Sequence, residues 1–294
     1  VRITGRQVTI EDEDALNLGA STVSYWLIVK AGGAITNSGA LVITKNASFQ
    51  AGSDNDITLD HASNNFQKEV KIVSGKDVTL VDANAIVLGV STVSGTYDVT
   101  ATAGGDITNT GVLAITNGAT FKVDGGQSIS LNQANTFSSA VTFVPLSGTI
   151  TAVTIRDSTA LELQALTTTG GLTVTAGGAV TQSGTLVIPG TTTISAVNGS
   201  SVKQDVTLGD SSNNFGTLAI TGADVTARDT NAIVLGASTV SGTYAVTAGD
   251  AVTQTGALAI TGATTISASG YNVTLNTATN NFQGAVGITG AAVA

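Results

Sequence analysis

The stretch Gly33-Ala-Ile-Thr-Asn-Ser-Gly39 decides the fold, because its second half returns at regular intervals along the chain. Its last glycine has counterparts at Gly111, Gly184 and Gly256, so the four copies are almost equally spaced. Self-similarity at a fixed period is typical of repeat architectures, in which each repeat buries its apolar face against its neighbours. The sequence therefore contains four copies of a unit of about 72 residues.

Other landmarks divide the chain in the same way. Asn-Asn-Phe or Asn-Thr-Phe ends at Phe66, Phe137, Phe215 and Phe282, and Asn84-Ala-Ile-Val-Leu-Gly89 returns at 231–236. We interpret residues 1–294 as a single solenoid segment, cut from a longer chain, with no separate globular domain. The approximate boundaries of its super-repeats are 3–70, 71–141, 142–218 and 219–286, followed by the start of a fifth.

Each super-repeat divides again at a buried-looking Val or Ile that is usually followed by Thr. Thirteen such strand markers lie between Val8 and Val293, at an average interval of about 24 residues, which suits one coil of a solenoid. This period, with two or three short strands per turn, is what a β-solenoid requires, because a coil buries its inward side chains only by stacking on the next. Parallel crossovers are almost always right-handed. The sequence therefore predicts an all-β, right-handed parallel β-solenoid (β-helix) of about 12 coils.

Composition supports this fold and excludes several functions. The 35 Gly, with abundant Thr, Val and Ser, favour short strands and turns. No apolar run reaches the roughly 18 residues of a membrane span, and a net charge of −9 leaves no basic face for nucleic acid. Without cysteine the chain has neither disulfides nor thiol ligands. The rival fold is a string of immunoglobulin-like sandwiches, but a sandwich as short as one super-repeat would be small, and its strands would not recur at the marker interval.

Acidic side chains before the strand markers are the candidates for a calcium site. Asp56, Asp77 and Asp106 precede three successive markers, and Asp54 lies in the turn before the first. Calcium prefers several such oxygen ligands, but the glycine-rich calcium-binding repeat pattern is missing. The alternative that we favour is that each Asp begins a strand by accepting N–H groups of a turn. We therefore expect no metal and no cofactor.

Two further positions could carry a function. Tyr25 and Trp26 interrupt a region that reads Gly95-Thr-Tyr97 and Gly242-Thr-Tyr244 in other repeats, and an exposed Trp is a candidate contact for a sugar or a protein. The single histidine, His61, lacks partners at equivalent positions of the repeat, so we interpret it as a solvated turn residue.

Three stretches carry a resemblance to a known family. Gly33-Ala-Ile-Thr-Asn-Ser-Gly39, Ala257-Leu-Ala-Ile-Thr-Gly-Ala-Thr264 and Asn272-Val-Thr-Leu-Asn-Thr-Ala-Thr-Asn-Asn-Phe282 resemble the central repeats of filamentous-haemagglutinin-like bacterial exoproteins and related adhesins. The resemblance covers nearly the whole chain. It implies a right-handed β-helix, secretion across an outer membrane and a role as a fibrous stalk or adhesin, but assigns no functional residue.

Three functions follow as hypotheses. The first is a stalk or passenger segment of a secreted or cell-surface bacterial adhesin, and the second is a self-assembling extracellular filament subunit. The third, a glycan-active β-helix enzyme, needs carboxylates and basic residues that converge on a groove, and the four Arg do not supply them. We therefore expect no catalysis. The expected partners are a flanking solenoid of the same polypeptide or further copies end to end, and a host or neighbouring-cell glycan or protein.

Overall fold

The computed structural model describes all 294 residues, Val1–Ala294. Every regular element is a β-strand, and turns and bends join the strands. No helix is present, and so none with the length and hydrophobicity to cross a membrane. Backbone contacts divide the chain into two compact units, Val1–Ile150 and Thr151–Ala294.

The first unit is a parallel β-solenoid. Its strands are β1 (Thr4–Gly5), β2 (Val8–Asp12), β3 (Leu16–Leu18), β4 (Ser21–Val23), β5 (Leu27–Ala31), β6 (Ile35–Asn37), β7 (Leu41–Ile43), β8 (Ala47–Gln50), β9 (Ile57–Leu59), β10 (Asn65–Phe66), β11 (Glu69–Ser74), β12 (Val78–Asp82), β13 (Ile86–Leu88), β14 (Ser91–Val93), β15 (Tyr97–Ala101), β16 (Ile107–Asn109), β17 (Leu113–Ile115), β18 (Ala119–Val123), β19 (Ser128–Phe137) and β20 (Val141–Pro145). Seven strands, β3, β6, β9, β12, β15, β18 and β20, form one long sheet, sheet I. A second long sheet, sheet II, contains β2, β5, β8, β11, β13, β16 and the start of β19.

The second unit has the same organisation. Its strands are β21 (Ala152–Asp157), β22 (Leu161–Leu163), β23 (Leu166–Thr167), β24 (Leu172–Ala176), β25 (Val180–Gln182), β26 (Leu186–Ala196), β27 (Val206–Leu208), β28 (Asn214–Gly222), β29 (Val225–Asp229), β30 (Ile233–Leu235), β31 (Ser238–Val240), β32 (Tyr244–Ala248), β33 (Val252–Gln254), β34 (Leu258–Ile260), β35 (Thr264–Ser267), β36 (Asn281–Phe282) and β37 (Val286–Thr289). Its sheet I contains β22, β25, β27, β29, β32, β35 and β37. Its sheet II contains, in order, β21, β24, β26, β28, β30 and β33.

The coils are shorter than the strand markers indicate. Six steps along sheet I of the first unit lead from Leu16 to Val141, an average of about 21 residues per coil, near the lower limit for stacked structural repeats. Six steps in the second unit lead from Leu161 to Val286 and give the same average. Each step adds a parallel strand whose backbone hydrogen bonds fix its distance from the previous one at about 4.8 Å.

One repeat therefore spans three and a half coils, because each unit holds seven strands of sheet I and two of the four repeats. Equivalent strands then alternate between the two sheets. In the first unit, Ile35–Asn37 lies in sheet I and its copy Ile107–Asn109 in sheet II, and in the second unit β25 and β33 alternate in the same way. The short third strand of a coil changes its place in the same way. In the first repeat, β4 and β7 come after a strand of sheet I, whereas in the second repeat β14 and β17 come after a strand of sheet II.

The β-solenoid itself is confirmed, and this half coil explains why the number and length of the coils differ slightly from the prediction. The two units together have 14 coils instead of the predicted 12 or so. Val78 pairs with Tyr97, and these two residues are closer along the chain than the average interval between strand markers. The strand at Tyr97 was not counted as a marker because it begins with Tyr instead of Val or Ile. The next marker, Ile107, already lies in sheet II. The right-handed sense of the coils stays a prediction.

In each unit the core is a column of inward side chains. Within strands such as β5 and β12, residues alternate between buried and more exposed, as the pleat requires. Aromatic rings pack against one another in the first unit: the ring of Phe121 lies 6.2 Å from those of Tyr97, Phe137 and Phe143. The recurring Phe66, Phe137 and Phe215 are buried, and Phe282 is half-buried.

Replacing Ile107 by Asp tests the inward orientation of this column. The side chain of Ile107 is 0% exposed, so the new carboxylate would be buried without a partner, and we expect the free energy of unfolding to fall by more than about 4 kcal/mol in urea denaturation. Thr108→Asp is the matched control, because this side chain points outward, and it should cost less than about 1 kcal/mol. Similar losses in the two variants would contradict the register.

Candidate functional site

An amide pair joins successive coils in every repeat, and it is buried in the first two repeats and partly buried in the last two. In the first repeat, Asn64 is fully buried and its Oδ1 accepts hydrogen bonds from Nδ2 of Asn37 (2.8 Å) and from the backbone N–H of Leu41 (2.9 Å). Its Nδ2 donates to the carbonyl of Leu59. Asn135 and Asn109 form the same arrangement in the second repeat. We call this arrangement the amide clamp.

The third and fourth repeats build the amide clamp with Gln in place of the first Asn. Nε2 of Gln182 donates to Oδ1 of Asn213 (2.8 Å), and Nδ2 of Asn213 donates back to Oε1 of Gln182 (2.9 Å). Gln254 and Asn280 pair reciprocally as well. The shorter Asn37 makes only the first of these bonds, and its Oδ1 is buried without a hydrogen-bond partner.

A second buried polar group recurs where a strand of either sheet ends in Asp. Oδ2 of Asp82 accepts the N–H of Phe66 (2.8 Å) and Oδ1 accepts the N–H of Asn84 (2.8 Å). Asp229 binds the N–H groups of Phe215 and Asn231 in the same way. Burial raises the pKa of Asp82 to about 6, against the opposing effect of the two N–H donors, and it also raises the pKa of Asp229.

The aspartates proposed as calcium ligands are not gathered into one site. Oδ1 of Asp56 accepts the N–H of Asp77 (3.2 Å), and Asp77 in turn binds Thr96. Asp106 precedes a strand of sheet II, where its Oδ1 accepts the N–H of Ser128 (2.8 Å), and Asp54 lies in an exposed turn. No group of three or more His, Asp or Glu side chains lies close enough to hold a metal ion.

The contact between Asp77 and Thr96 joins the bends of two successive coils. Oδ1 of Asp77 accepts both the N–H (2.7 Å) and the hydroxyl (2.8 Å) of Thr96, and these bonds lower the pKa of Asp77. A Cβ on Gly95 would lie 2.2 Å from that carboxylate oxygen, so a larger residue there would displace the carboxylate. The fourth repeat forms the same contact with Asp224 and Thr243. We call it the Asp-Thr turn.

Tyr25 and Trp26 occupy the place of the Asp-Thr turn in the first repeat. Their ring centroids are 4.9 Å apart, the guanidinium of Arg6 lies 5.5 Å from the centre of the Tyr25 ring, and Trp26 is 39% exposed. The aromatic pair, Lys45 and Lys71 line two adjoining shallow depressions. We call Arg6, Tyr25, Trp26, Lys45 and Lys71 the aromatic shelf.

His61 is part of a turn. Its Nδ1 accepts the N–H of Ser63 (3.1 Å) and its carbonyl accepts the N–H of Asn64 (2.9 Å). The side chain therefore helps to shape the turn that leads into the amide clamp, and it lies outside the aromatic shelf.

Sequence reasoning missed the amide clamp and the buried Asp, although both left a signal. The Asn-Asn-Phe landmark contains Asn64, and Asp82 stands two residues before Asn84 of the second landmark. Their side chains are polar, so the strand markers, which are Val or Ile, did not include them. The Asn of each landmark is kept in all four repeats because it satisfies backbone groups inside the coil.

The two units thus define a repetitive β-solenoid protein with a recurring buried polar framework. The chain belongs to the family described as Repeats of unknown function (DUF5649), whose profile matches residues 5–73, 75–144, 150–221 and 222–289. Each match covers one repeat of three and a half coils. No curated protein and no solved structure matches the chain.

Replacing Asn37 by Gln should stabilise the protein. The longer side chain is expected to form the reciprocal pair that Gln182 forms with Asn213. Its Oε1 would then accept a hydrogen bond, whereas the buried Oδ1 of Asn37 accepts none. We expect the free energy of unfolding to rise by about 1 kcal/mol in chemical denaturation. The reverse change, Gln182→Asn, is the matched variant and should lower it by a similar amount. A loss of stability in Asn37→Gln would show that the first repeat has no room for the longer amide.

Acidification should stabilise the fold in a defined window. The pKa of Asp82 is raised from 3.8 to about 6 in the folded state, so the folded protein binds a proton before the unfolded chain does. The free energy of unfolding should therefore increase as the pH falls from about 7 to about 5, by about 1 kcal/mol for this one group. Denaturation of Asp82→Asn should show a smaller increase, the remainder coming from Asp229. Asp60→Asn, at an exposed position, is the control, and an equal reduction in that variant would contradict the assignment.

Proposed function

We propose that the chain is a structural stalk segment of a secreted or cell-surface bacterial adhesin, as its resemblance to filamentous-haemagglutinin-like repeats implies. The observation that carries this proposal is the contrast between the inside and the outside of the repeats. All four repeats keep the amide clamp, whereas the outward position of Trp26 is occupied by Thr96, Gly171 and Thr243 in the others. What the repeats share is therefore the means of stacking.

Stacking is also what a stalk needs. Each repeat adds three and a half coils, so it lengthens its unit by about 17 Å at a rise of about 4.8 Å per coil. Backbone ladders and buried side chains resist bending across each step, since every strand is bonded to the strands before and after it. Such a segment holds whatever it carries at a distance set by the number of repeats.

Catalysis is not part of the proposal. The carboxyl groups with shifted pKa values, Asp77, Asp82 and their copies Asp224 and Asp229, are bonded to backbone N–H groups at turns and strand ends. One of them has a basic neighbour, since Lys76 lies beside Asp77, but both side chains are exposed and form no enclosed acid and base pair. The self-assembling filament stays the alternative function, and it differs in requiring contacts between copies of the chain.

Location can be tested on the cells that produce the protein. An antibody against the chain should label intact cells or the culture medium, and external protease should remove the signal from intact cells. Detection only after permeabilisation would overturn the extracellular role. Assembly of the purified chain into fibres, seen by electron microscopy at low concentration, would instead support the filament.

Insertion of repeats should lengthen the first unit by a fixed step. The chain has no cysteine, so Asn46→Cys and Asn117→Cys provide two unique spin-label sites in the first and second repeats. Two extra copies of residues 75–144, inserted between Ser74 and Gly75, should increase the separation of the labels along the coil axis by about 34 Å and their distance by slightly less, measured by pulsed electron resonance. Two copies add a whole number of coils, so each label stays on the side of the coil that it occupied before the insertion. A scrambled insert of equal length is the control, and an unchanged or broad distance for the native repeats would contradict the stalk.

A further inference from the structure

The aromatic shelf departs from the repeat in two linked ways. In the second and fourth repeats, an Asp in the preceding coil binds a Thr, and the residue before that Thr is a glycine. In the first repeat the preceding coil has Gln7 instead of Asp, and Tyr25-Trp26 stands where Gly-Thr would be. The carboxylate that closes the Asp-Thr turn is thus missing where Tyr25 is half-buried and Trp26 is exposed.

The surroundings of the rings are richer in positive charge than the rest of the chain. Residues 1–76 carry seven of the 11 Lys and Arg but eight of the 20 Asp and Glu, whereas residues 77–294 carry four and twelve. Lys45 and Lys71 line the depressions beside the rings, and neither is in a salt bridge, because both salt bridges of the chain use other lysines. The one acidic residue that lines these depressions, Glu69, accepts a threonine hydroxyl from a later coil.

The exposed apolar area is small and is edged by hydrogen-bonding side chains. Trp26 and Ile28 are 39% and 41% exposed, and Asn46 and Ser48 of the next coil lie directly beside them. Stable protein interfaces usually bury about 800 Å² on each partner around an apolar centre. One Trp ring and one Ile fall short of this, but a flat ring with neighbouring amide and hydroxyl groups matches the face and edges of a single sugar ring.

The geometry points to a binding site for an acidic polysaccharide on the aromatic shelf. The Trp26 ring stacks on the apolar face of one sugar, and Asn46 and Ser48 bind hydroxyl groups. Arg6, Lys45 and Lys71 bind the carboxylate or sulfate groups of this sugar and its neighbours. Arg6 also holds the Tyr25 ring beside Trp26 through its cation–π contact. The site does not depend on the stalk role and would exist equally on a filament subunit.

Trp26 is the only tryptophan, so its fluorescence reports on the shelf alone. We would titrate the full chain with an alginate oligosaccharide, which carries carboxylates, with a sulfated dextran oligosaccharide, and with a neutral cello-oligosaccharide of equal length. At least one acidic probe should change Trp26 fluorescence at concentrations at least about tenfold lower than the neutral probe. Raising the ionic strength from about 0.1 M to about 1 M should weaken that binding, because it shortens the Debye length from about 10 Å to about 3 Å.

Variants separate the contribution of the rings from that of the charges. Tyr25→Gly with Trp26→Thr gives the first repeat the residues of the second, and calorimetry should show at least about tenfold weaker binding. Lys45→Gln with Lys71→Gln retains Trp26 and should weaken binding of the acidic probe but not of the neutral one. Tyr271→Ala and Lys203→Gln remove an exposed ring and a charge elsewhere and should bind normally. Circular dichroism melting of each variant establishes that it is folded.

Several outcomes would overturn the proposal. Unchanged Trp26 fluorescence with every saccharide, or equal binding of acidic and neutral probes, would exclude an acidic polysaccharide. Undiminished binding by the folded Tyr25→Gly and Trp26→Thr variant would place the saccharide elsewhere. Binding of poly-glutamate in the absence of saccharide binding would assign the shelf to an acidic protein partner instead. None of these results bears on the stalk, which is tested by cell-surface location and by repeat insertion.

Discussion

The backbone hydrogen bonds between one coil and the next fix the position of everything else in each unit. A coil of about 21 residues has three short strands at most and cannot bury its own apolar side chains. Only the next coil, in register and about 4.8 Å away, covers them. A polar group that faces inward therefore finds its hydrogen-bond partners at the same spacing, in its own coil or the next. The amide clamp and the buried Asp meet that requirement, because each accepts N–H groups from a neighbouring coil that the strand ladder leaves open.

The half coil in each repeat follows from the same spacing. A repeat can gain or lose residues in turns or at a local register shift such as those in β11 and β26, since a shift of a whole strand would turn its apolar side chains outward. The third strand is the adjustable part. It follows sheet I in the first repeat and sheet II in the second, so that β4 and β14 have the same sequence at opposite edges of the coil. The inward Ser at the start of each, Ser21 and Ser91, accepts a backbone N–H at either edge.

The sequence alone predicts the β-solenoid, the four repeats and the inward direction of residues such as Ile107, because these depend on periodicity and on apolar side chains. It does not predict the coil number, since the strand that begins at Tyr97 lacks the apolar marker and the next marker belongs to the other sheet. The calcium candidates are spread apart for the same reason: Asp77 and Asp106 are adjacent in the marker series but lie before strands of different sheets. Tyr25 and Trp26 were recognisable as a departure from the repeat, but the lysines beside them come from later coils, and only the fold brings them together.

Separation of the buried framework from the outer surface explains how one repeat can acquire a site without harming the others. The Asp-Thr turn closes through an exposed carboxylate, whose hydrogen bonds contribute less to stability than the buried amide clamp does. Its replacement by Tyr25-Trp26 leaves the inward neighbour Leu27 fully buried, so the coil still stacks. Neighbouring repeats in a unit differ by half a coil. A shelf copied into the second repeat would therefore lie on the opposite long side of the coil and would not extend the shelf of the first repeat. A single shelf therefore gives the unit one distinguishable face, while the number of repeats sets its length independently.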